Sequence, residues 1–562
     1  MMNRLRILFV FLAVGTLLAG GCSSAHYRKS ADREVYKIVA EKQQGALGHT
    51  NQFSIETPYS TRDPREIKSG EIVEDRLESG QRKLTLDEAL KLAIDNSRKF
   101  QFQKESLYLA ALTLSRDRYE FHPHFLAGST ASTSRDSSKE QTGKVTSHVG
   151  VDQLLRTGAQ LSLSIVNDVL RYYTGDPRPM ATTQMTASLV QPLLRGAGAE
   201  IVAENLTQSE RNVLYEVRTF SRFQNTFAID IVTTFYRLLQ QKDTVRNEYN
   251  NYRNLVMARE RAEALSRDRL PAFQVDQAHQ DELSAKSRYI LAAQNYRTRL
   301  DQFKTSLGLS LGIELALDDS ALDDLHRLGL TVIALDEKDG YRTAVEHRLD
   351  LLNEIDRFED SKRKLKVFAN RLKPDLNIFA NVSLNTDRPD DYTHFNPDLY
   401  RANAGVTLNL PLDRLRERND YRASLITFER QIRTLATALD DLRNNVRQDL
   451  RNLEQAQQSY QIQSNAVALA TRRVESATLL LQAGRAQIRD LLEAQAAQLG
   501  ARNAVTATVV DYHAARLALL VDIGMLDTGV DRFWLKNDQL KRGPAERPGD
   551  EEVVPPNQLF GQ

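Results

Sequence analysis

Residues 425–460 read LITFERQIRTLATALDDLRNNVRQDLRNLEQAQQSY. The apolar positions are Leu425, Phe428, Ile432, Leu435, Leu439, Leu442, Val446, Leu450, Leu453, Ala456 and Tyr460, ten steps over 35 residues with a mean of 3.5. That period marks a coiled-coil seam, whereas a helix on a globular core keeps 3.6 and a wider stripe. Arg, Gln, Asn, Asp and Thr fill the positions between, so the other faces suit water. Neither Gly nor Pro occurs from Ala423 to Ala483, which predicts one helix of about 60 residues spanning roughly 90 Å. Such a helix is a strut and not a core element. A filament-like coiled coil fits this stretch by itself; the segments flanking it point elsewhere.

The totals narrow the classes. A chain of 562 residues has room for several ordinary domains. Lys and Arg number 75 against 74 Asp and Glu, without blocks of one sign, which argues against a nucleic-acid partner. The only cysteine excludes a disulfide framework within the chain. A mean hydropathy of −0.46 argues against a bundle of membrane helices but not against a β-barrel, whose strands carry only half an apolar pattern.

At the N-terminus, Arg4 and Arg6 precede an apolar run from Ile7 to Leu18 and then Ala19-Gly20-Gly21-Cys22. The run is too short to span a membrane and suits a signal peptide, residues 1–21. Small residues before a cysteine resemble a bacterial lipobox, which makes Cys22 the candidate lipidation site and the mature N-terminus. Ser23 in place of an acidic residue resembles lipoproteins sent to the outer membrane. Residues 22–83 are polar and aperiodic, and a mostly irregular tether or outer wrap is expected there.

From Leu84 the chain repeats itself. Thr85 with Glu88 forms a capping-box pattern, helical spacing runs to about Tyr119, and His122-Pro123 stops it. Alternating runs follow, at Phe125 to Ala131, Leu161 to Ile165 and Met185 to Val190, ending in Gln191-Pro192-Leu193-Leu194. Helical spacing resumes to about Leu265, breaks at Arg269-Leu270-Pro271, and continues to about Leu307. The same order recurs from about Tyr341: a helix to Leu372, Lys373-Pro374, an alternating run Leu376 to Leu384, another from Ala404 to Leu410, Pro411, the strut, a break at Ala483-Gly484-Arg485, and a last helix to about Met525. The equivalent prolines stand 69 residues apart in the first repeat and 37 in the second, so the first carries 32 extra residues, an added hairpin or a longer loop.

Strands with one apolar face and one face of Asn, Ser and Thr suit a half-wet sheet or a membrane barrel. Two strands per repeat give four per chain, too few to enclose water, whereas three chains give about twelve. Bare strand edges are not tolerated in lipid, so assembly becomes compulsory.

Several segments resemble the TolC-like outer-membrane efflux proteins: Leu84 to Leu90, Gln191 to Leu194, Phe227 to Tyr236, and Ala483-Gly484-Arg485 with Asp490 to Gln495. The resemblance covers about residues 84–526. It implies a mainly α fold with membrane β: long coiled-coil helices and short strands in two tandem helix-strand-strand-helix repeats. Three chains would form a 12-stranded β-barrel in the outer membrane and an α-helical tunnel in the periplasm. The implied organisation is repeat one at 84–309, an equatorial linker at 310–340, repeat two at 341–526, and an equatorial segment with a disordered tail at 527–562. The implied function is passive conduction of solutes, with a periplasmic adaptor and an inner-membrane pump as partners.

The resemblance also places Asp490 and Glu493 at the periplasmic constriction, with Gln274 and Gln277 on the matching face of repeat one. At i, i+3 the two acids share a helix face, and in three copies they would make two carboxylate rings that attract cations. Arg269, Leu270 and Pro271, with Gly484, Arg485 and Ala486, become the tips where the adaptor docks. Catalytic residues, cofactors and metals are not expected. Gly308-Leu309-Ser310-Leu311-Gly312 matches G-x-S-x-G, but a helix precedes it where a nucleophile elbow needs a strand. His122 and His124 have no further ligands nearby. The rival readings are a periplasmic coiled-coil scaffold lipoprotein without a pore, and a hydrolase using Ser310.

Overall fold

The computed structural model describes residues 24–135, 137, 140–174, 179–267, 271–330, 333, 335–386, 395–529 and 532–535. The expected signal peptide, Cys22, Arg269, Leu270 and the tail from 536 lie outside them. In chain order the first elements are α1 (Ser24–Leu47), α2 (Ser69–Leu77), β1 (Gly80–Leu84), α3 (Leu86–Asn96) and α4 (Arg98–Tyr119). Four strands follow, β2 (His124–Arg135), β3 (Gln141–Leu154), β4 (Gln160–Tyr172) and β5 (Pro179–Pro192), then the short turn α5 (Ala199–Val202). The first strut is α6 (Glu204–Ser266) and its return helix α7 (Ala272–Ser306). Between the repeats lie β6 (Ile313–Leu317) and α8 (Ser320–Leu328). Repeat two consists of α9 (Glu337–His347), α10 (Leu349–Arg371), β7 (Asp375–Asn385), β8 (Arg401–Asn409), α11 (Leu415–Gln482) and α12 (Ile488–Asp522).

The duplication extends to helix lengths. The opening helices α3 and α9 have 11 residues each, α4 and α10 have 22 and 23, the struts 63 and 68, and the return helices 35 each. Where single helices were expected from Leu84 and from Tyr341, each repeat instead starts with two. Ser97 (ψ 123°) and Arg348 (ψ 110°) are extended and end the first of the pair. The break is a backbone event at unremarkable residue types, so spacing alone did not reveal it.

The chain forms two compact units: residues 1–55, 104–220 and 353–437, and residues 56–103, 221–352 and 438–562. In the first unit all six long strands form one antiparallel sheet in the order β2-β3-β4-β5-β7-β8. This corrects the expected four strands per chain: the extra residues of repeat one are the hairpin β3–β4. The apolar positions line up in rows across the sheet, for example Phe125, Val151, Leu163, Ala187 and Val382.

The segment expected to be mostly irregular is also corrected. Helix α1 buries Val35, Ile38 and Val39 in the first unit. Tyr108 Oη donates to Asp32 at 2.6 Å, Ser115 Oγ donates to Glu34 at 2.6 Å, and Lys42 pairs with Glu210. The three buried apolar residues lie within one stretch of five positions, too short to set a period against the surrounding charge.

In the second unit, β1 and β6 make a two-stranded parallel ribbon. Helix α12 is long and apolar enough to cross a membrane, but 56% of that window is buried within the chain, as in a core helix. The coiled-coil seam of α11 is buried at Leu442, Val446, Leu453 and Ala456, while Ile432 remains 46% exposed.

Three helix ends share one stop. At Gly308, Gly484 and Gly524 the backbone turns left-handed (φ 74°, 70° and 74°), and the residue after each glycine donates its N–H back to the carbonyl of Lys304, Leu480 and Leu520. This is the Schellman arrangement that satisfies a helix's last carbonyls. Gly308 and Gly524 occupy equivalent places in the two repeats, and each nests on the end of its repeat's opening helix. An added Cβ would lie 2.4 Å from the Asn96 carbonyl oxygen or 2.7 Å from the His347 carbonyl carbon, whereas nothing lies within 4 Å at Gly484. Gly484→Ala is therefore expected to cost about 1–2 kcal/mol of left-handed strain alone. Gly308→Ala and Gly524→Ala should cost roughly 1–3 kcal/mol more through overpacking. Thermal unfolding of the three variants in detergent should rank Gly484→Ala as the mildest.

Candidate functional site

The residues predicted for the constriction sit on the first turns of α12, directly after the Gly484 stop. Helix α11 ends at Gln482, Gly484 reverses the chain, and Gln487 becomes the N-cap of α12. Ile488, Leu491, Leu492 and Ala494 point inward; Asp490 and Glu493 point out and are exposed. The buried side is a seam of small residues, with Ala258 and Ala262 of α6 and Ala278 and Ala285 of α7 packed with Leu255, Ile488 and Leu492. Alanines bring these helices close, so the exposed acids sit on a tightly held frame.

Both acids have partners within the chain. Asp490 Oδ2 accepts from the Gln487 backbone N–H at 3.0 Å, completing a capping box. Glu493 Oε1 accepts from Arg473 Nη2 at 2.9 Å, with both side chains more than half exposed. An exposed pair of this kind contributes about 0–1 kcal/mol, so it orients Glu493 without locking it. Arg473 was not singled out in the sequence because its partner lies 20 positions away on another helix. The capping role of Asp490 was not read from the sequence, because the capping-box pattern opens on Ser or Thr and not on a residue such as Gln487. Gln274 is buried and Gln277 half-buried, whereas both acids are exposed. Of the expected docking tips, Pro271 is the N-cap of α7, and Gly484, Arg485 and Ala486 form the turn between α11 and α12.

A second group of charges escaped the sequence reading. Asp522, near the end of α12, pairs with Arg222 at 3.2 Å and Arg348 at 3.4 Å, and Arg348 also holds Asp350 at 2.9 Å. Asp449 of α11 is half-buried beside Asp522; burial and that neighbouring carboxylate push its own carboxyl up to about 7.

The residues set aside earlier have structural duties. Ser310 lies after a helix and before a strand, its hydroxyl donating to the Arg76 carbonyl at 2.7 Å and accepting from the Gly312 N–H at 3.2 Å. His124 stacks on Tyr119 with centroids 4.4 Å apart, and its Nε2 lies 2.8 Å from the Tyr119 carbonyl oxygen.

Residues 340–524, which hold repeat two with its strut and the Gly484 turn, match the model of the family described as outer membrane efflux protein. The match covers about a third of the chain. No curated protein sequence matches it. Solved structures of such channels share the fold. The Campylobacter jejuni CmeC outer membrane channel is 14% identical, with 78% of this chain and 85% of that chain covered at a TM-score of 0.57. The outer membrane protein VceC from Vibrio cholerae is 13% identical, with 78% and 96% covered at 0.56. The open state of the Neisseria gonorrhoeae MtrE outer membrane channel is 12% identical, with 78% and 88% covered at 0.55. The chain thus has the fold of these outer-membrane channels.

Asp449 offers a stability test. Its unfolded carboxyl titrates near the ordinary 3.8 and its folded one at about 7. The folded state is therefore penalised progressively as pH rises between those values and is spared below them. Asp449→Asn should raise the melting temperature above about pH 7 and lose that advantage near about pH 4. A constant difference across this range would show that Asp449 is not held protonated.

Proposed function

We propose that three copies of this chain form the outer-membrane channel of a tripartite export system. An adaptor and an inner-membrane pump would load it from the periplasmic end. The observation that supports the reading is the duplicated order of strand pairs and struts around one sheet with an apolar face. Among the described residues that sheet leaves its edges bare within a single chain, and a wall in lipid must be closed. In this reading Cys22 is acylated after removal of residues 1–21 and holds the protein on the outer membrane. Repeat one at 84–309 and repeat two at 341–526 build wall and tunnel, and the segments 310–340 and 528–539 girdle it. The turns at Arg269, Leu270 and Pro271 and at Gly484, Arg485 and Ala486 meet the adaptor.

Asp490 and Glu493 would form the constriction. Their exposure in one chain supports this, because a lumen-lining acid has no reason to be buried within its own subunit. Each would be repeated three times at the narrow end, favouring cations and repelling anions. A capping duty complicates the usual alanine test: Asp490→Ala removes the acceptor for the Gln487 backbone N–H as well as a charge. Asp490→Asn with Glu493→Gln keeps hydrogen-bond acceptors and removes only charge.

Single channels in a planar bilayer provide the test. The full chain should conduct, and multivalent cations should block it. The Asp490→Asn, Glu493→Gln variant should conduct with block weakened by roughly tenfold or more, since each ring removes three charges. Unchanged block would take the two acids out of the constriction. Absence of any conductance would favour a periplasmic scaffold over a channel.

A further inference from the structure

The extra hairpin of repeat one is in the wall of the sheet and not hung from it. Strand β2 does not pair with β5. It pairs with β3 from His124↔Asp152 to Arg135↔Gln141, β3 pairs with β4 from Thr142↔Tyr172 to Leu154↔Gln160, and only β4 reaches β5. Swinging β3 and β4 away would leave both β2 and β5 unpaired on the sides they vacate.

The inserted strands also continue both faces. On the apolar side Val145, Val149, Leu163, Ile165 and Val169 are 38–60% exposed, flush with Phe125, Leu189 and Val382 on the neighbouring strands. On the other side Lys144 pairs with Asp168 at 3.3 Å, and Ser162 Oγ donates to Asp152 at 2.6 Å. At 14 and 13 residues these strands are as long as β2 and β5, above the ~9–11 needed to cross a bilayer at a tilt.

The turn joining them is fastened. Gly198 N–H donates to the Thr157 carbonyl at 3.2 Å, and Thr157 Oγ1 donates to Gln191 Oε1 at 3.2 Å. Gly158 (φ 94°) sits where a Cβ would lie 2.7 Å from the Gly196 carbonyl oxygen.

We propose that the barrel of this protein closes at eighteen strands, six from each of three chains, with β8 of one copy pairing antiparallel to β2 of the next. This rests on the trimeric channel reading above. With strands ~4.8 Å apart and tilted ~40°, eighteen strands give a backbone diameter of about 36 Å, against about 24 Å for twelve. The outer mouth would therefore have about twice the cross-section that four strands per chain provide. It would admit hydrated polymers that the narrower wall turns away.

Electron cryomicroscopy of the full chain in lipid nanodiscs would count the strands. A three-fold ring of eighteen, with a β8–β2 seam between copies, is the expected image. A three-fold ring of twelve with β3 and β4 outside the wall would overturn this inference and leave the channel reading standing. Particles without a closed ring would overturn both. A sizing measurement adds a second readout. Neutral polyethylene glycols applied from the outer side should enter the mouth of the full chain up to a cross-section about twice that admitted after residues 140–174 are replaced by a short turn. An equal cut-off in the two proteins would overturn the proposal. Should that variant not fold, the strand count on the full chain still decides.

Discussion

A backbone N–H or carbonyl left without a partner in hydrocarbon costs on the order of 2–7 kcal/mol. This one constraint organises the molecule. The six-stranded sheet satisfies its interior strands but presents the outer sides of β2 and β8, which no strand of the described chain covers. Over a nine-residue edge such as β8 the sum would be on the order of tens of kcal/mol, more than a domain's whole stability. A sheet of this kind in a membrane is therefore a fragment of a larger closed structure. The same holds for the struts: the 3.5-residue seam of α11 is only partly buried within one chain, with Ile432 still open.

The second unit answers to a different demand, that of bringing helices together and stopping them in register. It does so with small residues and with backbone turns. Ala258, Ala262, Ala278 and Ala285 allow close packing at the end of the struts. The Schellman turns at Gly308 and Gly524 let each return helix finish against the end of its repeat's opening helix. The equal length of α7 and α12, 35 residues each, follows from that shared geometry. Half-buried Asp522 is bridged by two arginines, and Asp449 beside it is the carboxyl pushed furthest toward holding its proton.

Much of this was legible from residue order because strong periods produce it. The strut, the two copies of the repeat, the proline stops and the Gly484 turn all rest on spacing or on residues with distinctive backbone preferences. What escaped was weakly patterned. Helix α1 docks through Val35, Ile38 and Val39 among many charges. Strand β3 has glycines at 143 and 150 and a serine at 147 among its valines, which blurs its alternation. The breaks at Ser97 and Arg348 are imposed by what packs around them. At the candidate site, the acids were visible as an i, i+3 pair, but the salt bridge from Arg473 and the Asp449–Asp522 pair join distant segments and leave no local trace.

The hairpin β3–β4 also carries a lesson about parity. Strand β2 leaves helix α4 and strand β8 delivers the chain to α11, so both ends of the meander must come back to the same rim of the sheet. One inserted strand would deliver the second repeat to the opposite rim of the sheet. Insertions are tolerated only in pairs, and the three-fold assembly proposed above would multiply each pair to six. Circumference in such an architecture would therefore change in coarse steps, while the helices need not alter by a single residue.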